Sequence, residues 1–374
     1  MNLLFDLTAS QPNAAIKRHG GGKYSEMLFF SMCEKGIKFH TFFNSAKYIN
    51  PQIIKYLKQY NIPLHDIKDK PLSTIVNQNK ISTIYSALPE GLIPWPSCKI
   101  LGTIHGLRRL ELRYDFWGHW LLDNGIIGLN SFLGFFFDKK NKIQILQYYQ
   151  KILRSPDFSF VTVSFHSKTV IQSVCPDIDV PVFYPPSTSI RQSIKKINDK
   201  YILLVSADRF EKNCIRAIIA IDKLLSEKRI TPNILVKITG AIQNVSRYKI
   251  KNTANFEFLG YVNEIELDNL YANAYVLVYP SLNEGFGYPP LEAMRYGVPV
   301  IASNAASIPE VCGEAAMYFT PTSINEMMDR IVDIQNESVY SDFQKRGLQR
   351  YKEIEEKQKK DLEKLIDWII LNSI

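Results

Sequence analysis

A chain of 374 residues is longer than one ordinary domain and suits two of normal size. Hydrophobic residues make up 46% and charged residues 22%, so each half can bury a core of its own. The net charge of +8 favours anionic partners (nucleic acid, anionic lipid or phosphorylated small molecules), but no Lys/Arg tract has the density of a nucleic-acid arm, which sets nucleic acid aside.

In chain order, Leu3–Leu7 reads as a first strand and Gln11–Gly22 as a glycine-ended loop. Tyr24–Lys35 then reads as a helix stopped by Gly36. Further buried strands are expected at Ile37–Phe43, Ile81–Ser86, Lys99–Ile104 and Ser159–Val163. Strand signals lapse over Ser187–Lys200, the expected linker. The pattern then restarts: strands at Tyr201–Ser206, Asn233–Thr239, Phe256–Tyr261, Ala274–Tyr279 and Pro299–Ala302, with helices between, one of them from about Asn213. Strands alternating with helices imply parallel sheets covered on both faces. The fold class expected is α/β, with two doubly wound Rossmann-like domains facing a central cleft. Their boundaries are 1–190 and 191–350, and a C-terminal helix, 351–374, is expected to pack back on the first domain. In such sheets ligands bind beyond the carboxyl ends of the strands.

The stretch Tyr279–Pro309 carries the most chemistry. It leaves a strand and enters Asn283-Glu284-Gly285-Phe286-Gly287, where two glycines let backbone approach a ligand. Tyr288 lies near the start of the next helix. Pro289 and Pro290 suit its first turn, Leu291–Tyr296 continue it, and Gly297 ends it. A helix N-terminus there is an anion site fit for a diphosphate. Glu292 can accept from vicinal hydroxyls such as those of a ribose, and Glu284 lies where a transferred sugar would sit. Two surface carboxylates on a capped helix would share the Glu-x7-Glu spacing. The strand end, G-F-G, P-P and G-V-P-V-I-A-S around it separate the two readings.

On these residues the chain resembles the retaining GT-B glycosyltransferases of family 4, the glycosyl transferases group 1. The resemblance is close over the second domain and loose over the first. It implies a metal-independent transferase without a cofactor, moving a hexosyl group from a nucleotide-diphosphate sugar to a glycan or lipid-linked glycan. The setting implied is bacterial-type assembly of surface polysaccharide, O-antigen or capsule. It also implies roles. Arg209 and Lys212, in the loop after Tyr201–Ser206, neutralise the diphosphate, although Arg209 stands closer to Lys212 than is usual in the family. Glu284 orients the sugar. Glu292, Gly285, Phe286, Gly287, Tyr288 and Leu291 bind the donor, with Val262 beside the base. Gly21 and Gly22, within Gly20-Gly21-Gly22-Lys23, form the family's glycine loop, and His105, at the end of Lys99–Ile104, contacts the donor sugar. A sugar-nucleotide epimerase on the same fold and a non-catalytic nucleotide-sugar-binding subunit are the competing readings.

Arginines 108, 109 and 113 precede an aromatic run (Phe116, Trp117, Trp120, Phe132, Phe135–Phe137), and Lys139, Lys140 and Lys142 follow it. Residues 108–142 therefore suit either an interfacial segment on anionic lipid or a pair of packed helices. The five cysteines are scattered, odd in number and without C-x-x-C, which argues against a disulfide framework and a zinc site. The acidic pairs Asp66/Asp69 and Asp177/Asp179 lack the strand-end setting of a metal-binding Asp-x-Asp. The N-terminus does not read as a signal peptide, and no stretch reaches the roughly 18 apolar residues of a spanning helix. The expected location is cytoplasmic, with any membrane contact peripheral.

Overall fold

The computed structural model describes residues 2–12, 20–93, 96–112, 142–187, 200–240 and 250–373. The linker from 188 to 199, the loop from 13 to 19 and the aromatic run with Arg113, Lys139 and Lys140 lie outside them. The chain divides into two compact units. One comprises Met1–Leu107, Gln147–Thr188 and Glu356–Ile374, the other Arg108–Leu146 and Ser189–Glu355.

The first unit is a six-stranded sheet of β1 (Leu3–Asp6), β2 (His40–Phe43), β3 (Leu64–Asp66), β4 (Thr83–Ser86), β5 (Lys99–Ile104) and β6 (Phe158–Thr162). The order is β3-β2-β1-β4-β5-β6, and every pairing is parallel. The first three crossovers each carry a helix: α1 (Gly20–Glu34), α2 (Pro51–Gln59) and α3 (Leu72–Gln78) precede β2, β3 and β4. The core centres on fully buried Phe5, Phe29 and Tyr85, each ring worth about 1.5–3 kcal/mol on burial. Two sequence expectations shift here. Gly20–Gly22, expected at the end of a loop, are already helical in α1. β3 was not legible as a strand, because it is three residues long, at the sheet edge and half-buried.

The second unit repeats the plan with β7 (Tyr201–Leu204), β8 (Leu235–Thr239), β9 (Phe256–Gly260), β10 (Val276–Tyr279), β11 (Val300–Ser303) and β12 (Ala316–Phe319), in the order β12-β11-β10-β7-β8-β9. β12 is a second edge strand that the sequence did not announce. The strand order reverses at β7, whose neighbours are β8 on one side and β10 on the other. The loops after β7 and β10 therefore emerge side by side at the switch point, where such sheets bind ligands.

After β3, the chain places α4 at Arg108–Glu111, α5 at 142–153 and α6 at Phe165–Val174. The second unit's helices are α7 (Cys214–Ser226), α8 (Glu264–Asn273), α9 (Tyr288–Arg295), α10 (Ile308–Cys312) and α11 (Ile324–Asp333). A final helix, α12, runs from Glu337 to Asn372 and thus starts well before residue 351. Its last turns bury Leu365, Ile366 and Ile369 in the first unit, where Asp361 accepts from the Tyr184 amide at 2.9 Å. The helix starts follow sequence rules: Asn50, Ser164, Asn263 and Ser323 cap α2, α6, α8 and α11 with their side chains. No helix among the described residues is long and apolar enough to cross a membrane. All five cysteines are unpaired, and burial pushes the Cys33 thiol up to about 12.

Candidate active site

The β7–β10 pairing sets Ile202 opposite Val276 and Leu203 opposite Leu277. The loop that follows β7 and the loop that follows β10 therefore meet, although Lys212 and Glu284 lie far apart in sequence. Lys212 is 4% exposed and Glu284 8%. The Lys212 ammonium donates to Glu284 Oε1 at 2.5 Å and to the Tyr279 hydroxyl at 2.8 Å. Tyr279 in turn donates to the same Oε1 at 2.5 Å, and Ser281 Oγ adds a third bond at 2.6 Å. One carboxylate oxygen thus accepts three donors.

Burial alone would push the Glu284 carboxyl up. The Lys212 ammonium and the three donors outweigh it and hold the carboxyl below its ordinary range. Burial pulls the Lys212 ammonium below the usual lysine range, against the opposing pull of Glu284, and the charges of Arg209 and Arg108 lower it further. The Tyr279 hydroxyl, lifted far above ordinary tyrosine by burial and by Glu284, stays a donor.

Backbone support surrounds this cluster. Asn213 adopts a left-handed conformation, with φ of 55°, between the turn at Lys212 and α7. Its amide offsets that strain by donating to the carbonyls of Pro280 (2.9 Å) and Pro321 (2.8 Å). Ser307 Oγ donates to the carbonyls of Glu284 and Phe286, at 2.9 and 2.8 Å, and Ser303 Oγ to that of Ser281. The glycine loop is thereby pinned from β11 and the turn after it. Gly287 enters α9 with φ of +102°, a conformation an L side chain adopts at a cost. Gly287→Ala should lower stability by about 1–2 kcal/mol. A urea midpoint equal to that of the wild type would show that the loop tolerates the change.

The start of α9 also corrects a sequence expectation. Pro289 and Pro290 occupy the first turn and carry no N–H, so the amides free at this helix start are those of Gly287 and Tyr288. Glu292, on the same helix, is hydrogen-bonded by the fully buried hydroxyl of Tyr271 from α8. Val262 is half-buried between β9 and the Asn263 cap of α8, next to Gly260, which has φ of +63°. Arg209 is paired with Glu211, whose Oε1 lies 3.5 Å from its guanidinium.

The remaining sequence candidates lie in the first unit. Gly22 packs close to the turn at Thr8–Ser10, where an added Cβ would lie 3.4 Å from the Ala9 carbonyl. Buried Asp6 shapes that turn by accepting from the Thr8 amide (2.8 Å) and from Ser86 Oγ (2.6 Å). Gly21 is in the same helical turn as Gly22. His105 follows β5, its Nε2 3.1 Å from the Ala87 carbonyl and its ring edge-on to Tyr24 at 4.9 Å. The glycine-started helix and His105 are therefore neighbours.

Sequence reading did not single out Tyr279, Ser281, Tyr271 or Ser307. The first two flank Pro280 at a strand end, a position signal that was available. Tyr271 and Ser307 reach their partners through folding alone. The acidic residues 177 and 179 are taken up by Arg154 and Lys168, each at 2.6 Å. Among the described residues, no group of three or more His, Cys, Asp or Glu side chains could hold a metal ion.

Residues 187–350 match the family model "Glycosyl transferases group 1". The chain thus carries a group 1 glycosyl transferase domain, on two Rossmann-like domains of the GT-B architecture. Among curated proteins it is similar to O-antigen chain mannosyltransferase B of Escherichia coli, 43% identical over 97 residues, which is 26% of this chain and 26% of that protein. It is similar as well to O-antigen chain mannosyltransferase RfbU of Salmonella typhimurium, 35% identical over 144 residues, or 38% of this chain and 40% of that one. The matches thus span about a quarter to two-fifths of the length of these relatives. Among solved structures, sucrose-phosphate synthase from Thermosynechococcus elongatus shares the fold with a TM-score of 0.69 at 14% identity, over 99% of both chains. HepE from Anabaena, in complex with UDP and glucose, does so with a TM-score of 0.63 at 15% identity, over 98% of this chain and 99% of that one.

Proposed function

We propose that the protein is a retaining glycosyltransferase. It moves a hexosyl group, with mannose favoured by the O-antigen relatives, from a nucleotide-diphosphate sugar to a glycan or lipid-linked glycan, in assembly of bacterial surface polysaccharide. The observation that carries this reading is the buried Lys212–Tyr279–Glu284 cluster at the switch point of the second sheet. A fixed cation beside a fixed carboxylate suits a reaction in which negative charge grows on a leaving diphosphate while positive charge grows on the sugar.

In the proposed step, the bond between the anomeric carbon and the phosphate oxygen breaks, and a bond to the acceptor hydroxyl oxygen forms on the same face. The acceptor proton passes to the departing phosphate oxygen. Lys212 and Arg209, with the amides at the start of α9, stabilise the leaving charge without a metal. Glu284 orients the sugar, and Glu292, held by Tyr271, accepts from the ribose hydroxyls. Gly285, Phe286, Gly287, Tyr288 and Leu291 shape the donor pocket, with Val262 beside the base. On the first unit, Gly21, Gly22 and His105 are assigned to the donor sugar and its phosphate. The setting proposed is the cytoplasm, at the inner face of the cell membrane.

A panel of UDP, GDP and dTDP sugars, read first by thermal shift and then by acceptor-dependent nucleotide release, tests the reading. One donor should stabilise the protein and release its nucleotide only when acceptor is added. Conversion of the free nucleotide sugar without acceptor would make the protein an epimerase, and binding without release would make it a non-catalytic subunit.

A further inference from the structure

The cations assigned so far do not exhaust the positive charge at this site. Arg108 opens α4, outside the matched residues 187–350, and belongs to the second unit. Its guanidinium Nη1 lies 2.7 Å from Glu211 Oε1, the same oxygen that Arg209 approaches at 3.5 Å. Glu211 is itself fixed, because its carbonyl accepts from the Leu282 amide at 2.7 Å. α4 is tied down a second time, by Asn283 Nδ2 donating to Glu111 Oε2 at 3.0 Å. Both ties land on the two loops that carry Lys212 and Glu284.

Charge bookkeeping at the cluster then matters. Lys212, Arg209 and Arg108 face Glu211 and Glu284, with a third carboxylate, Glu111, held at Asn283, so the cluster by itself is close to neutral and a bound diphosphate would draw on all three cations. Glu211 spends a single oxygen on two guanidinium groups, each of which has five N–H donors and is nearly half exposed. Planar guanidinium forks suit phosphate oxygens, and a diphosphate carries more charge than Lys212 and Arg209 can balance once the two carboxylates are subtracted.

We propose that Arg108 is a third cation of the donor site, binding the diphosphate of the nucleotide sugar from outside the group 1 domain. The inference rests on the glycosyltransferase reading above. It assigns to Arg108 a different task from the lipid contact that its basic, aromatic sequence neighbourhood suggested.

Calorimetric titration of the full chain with UDP and GDP, and with UMP and GMP, tests it on the wild type, Arg108→Ala and Arg108→Lys. Arg108→Ala should weaken the diphosphate that the wild type binds by about ten-fold or more and weaken the matching monophosphate far less. Arg108→Lys should recover part of the loss. The salt dependence of diphosphate binding should flatten in Arg108→Ala. If Arg108→Ala binds the diphosphate as the wild type does, or loses mono- and diphosphate by the same factor, Arg108 only anchors its helix and the proposal fails. If the wild type binds neither UDP nor GDP, the nucleotide-sugar reading fails and takes the proposal with it.

Discussion

Glu284→Leu is expected to destabilise the protein by about 3–5 kcal/mol, because it strands the Lys212 ammonium in the core. In a unit of this size that amounts to a fall in Tm of roughly 6–20 °C. Lys212→Met strands the carboxylate instead, with hydroxyl donors still present at Tyr279 and Ser281, and should cost less. The double variant Lys212→Met/Glu284→Leu should recover much of the stability while transferring no sugar, since the proposed step needs both groups and the fold can replace a buried pair with apolar side chains. Thermal melts of the three variants decide the matter. A double variant no more stable than Glu284→Leu would show that the two groups do not compensate each other. Glu284→Gln isolates the chemical role: transfer should fall by at least about 100-fold, with nucleotide affinity close to that of the wild type. Near-normal transfer by both Glu284→Gln and Lys212→Ala would sink the assignment.

Tyr279→Phe carries the second large effect. A carboxylate whose folded pKa lies below its unfolded value contributes stability that is complete above the unfolded value, near 4.5, and is lost as pH falls through the folded one. Phenylalanine keeps the packing and deletes one of the three donors to Glu284 Oε1. The folded pKa then moves back up toward 4.5. The acid limb of both stability and kcat should therefore shift to higher pH. Removal of the bond should also lower kcat more than it raises KM, because Glu284 loses its orientation and the donor-binding amides are untouched. A pH profile identical to that of the wild type would mean that Tyr279 only fills space.

The alternation of apolar strands with amphipathic helices made both sheets legible, because parallel strands buried on both faces are continuous apolar runs. β10 and β11 show it: Val276–Tyr279 and Val300–Ser303 are buried throughout. β3 escaped because His65 and Asp66 give it the look of a loop. At the site, Glu284, Glu292 and Lys212 were readable from strand–loop–helix context. Of the three-donor clamp, only the Lys212 donor depends on β7 pairing with β10, a contact between distant segments; Tyr279 and Ser281 lie within five residues of Glu284 and were passed over. At the start of α9 the two prolines at 289 and 290, readable in the sequence, limit the free amides that the expected anion site can offer. For Arg108 the sequence left lipid contact and helix packing open, and its pairing with Glu211 depends on folding.

The course of α12 bears on how the protein is made. The first unit needs Glu356–Ile374 as well as its own early strands, and the whole second unit is encoded in between. On a ribosome adding about 5–20 residues per second, the early sheet waits roughly 9–36 s after Thr188 before the helix that supplies Leu365, Ile366 and Ile369 exists. During that interval its apolar face is uncovered while the second unit, contiguous from Ser189 to Glu355 apart from the 108–146 insertion, can close. Synthesis order is thus inverted in folding: the part translated first is the part finished last, and it is the one for which chaperone holding during translation matters most.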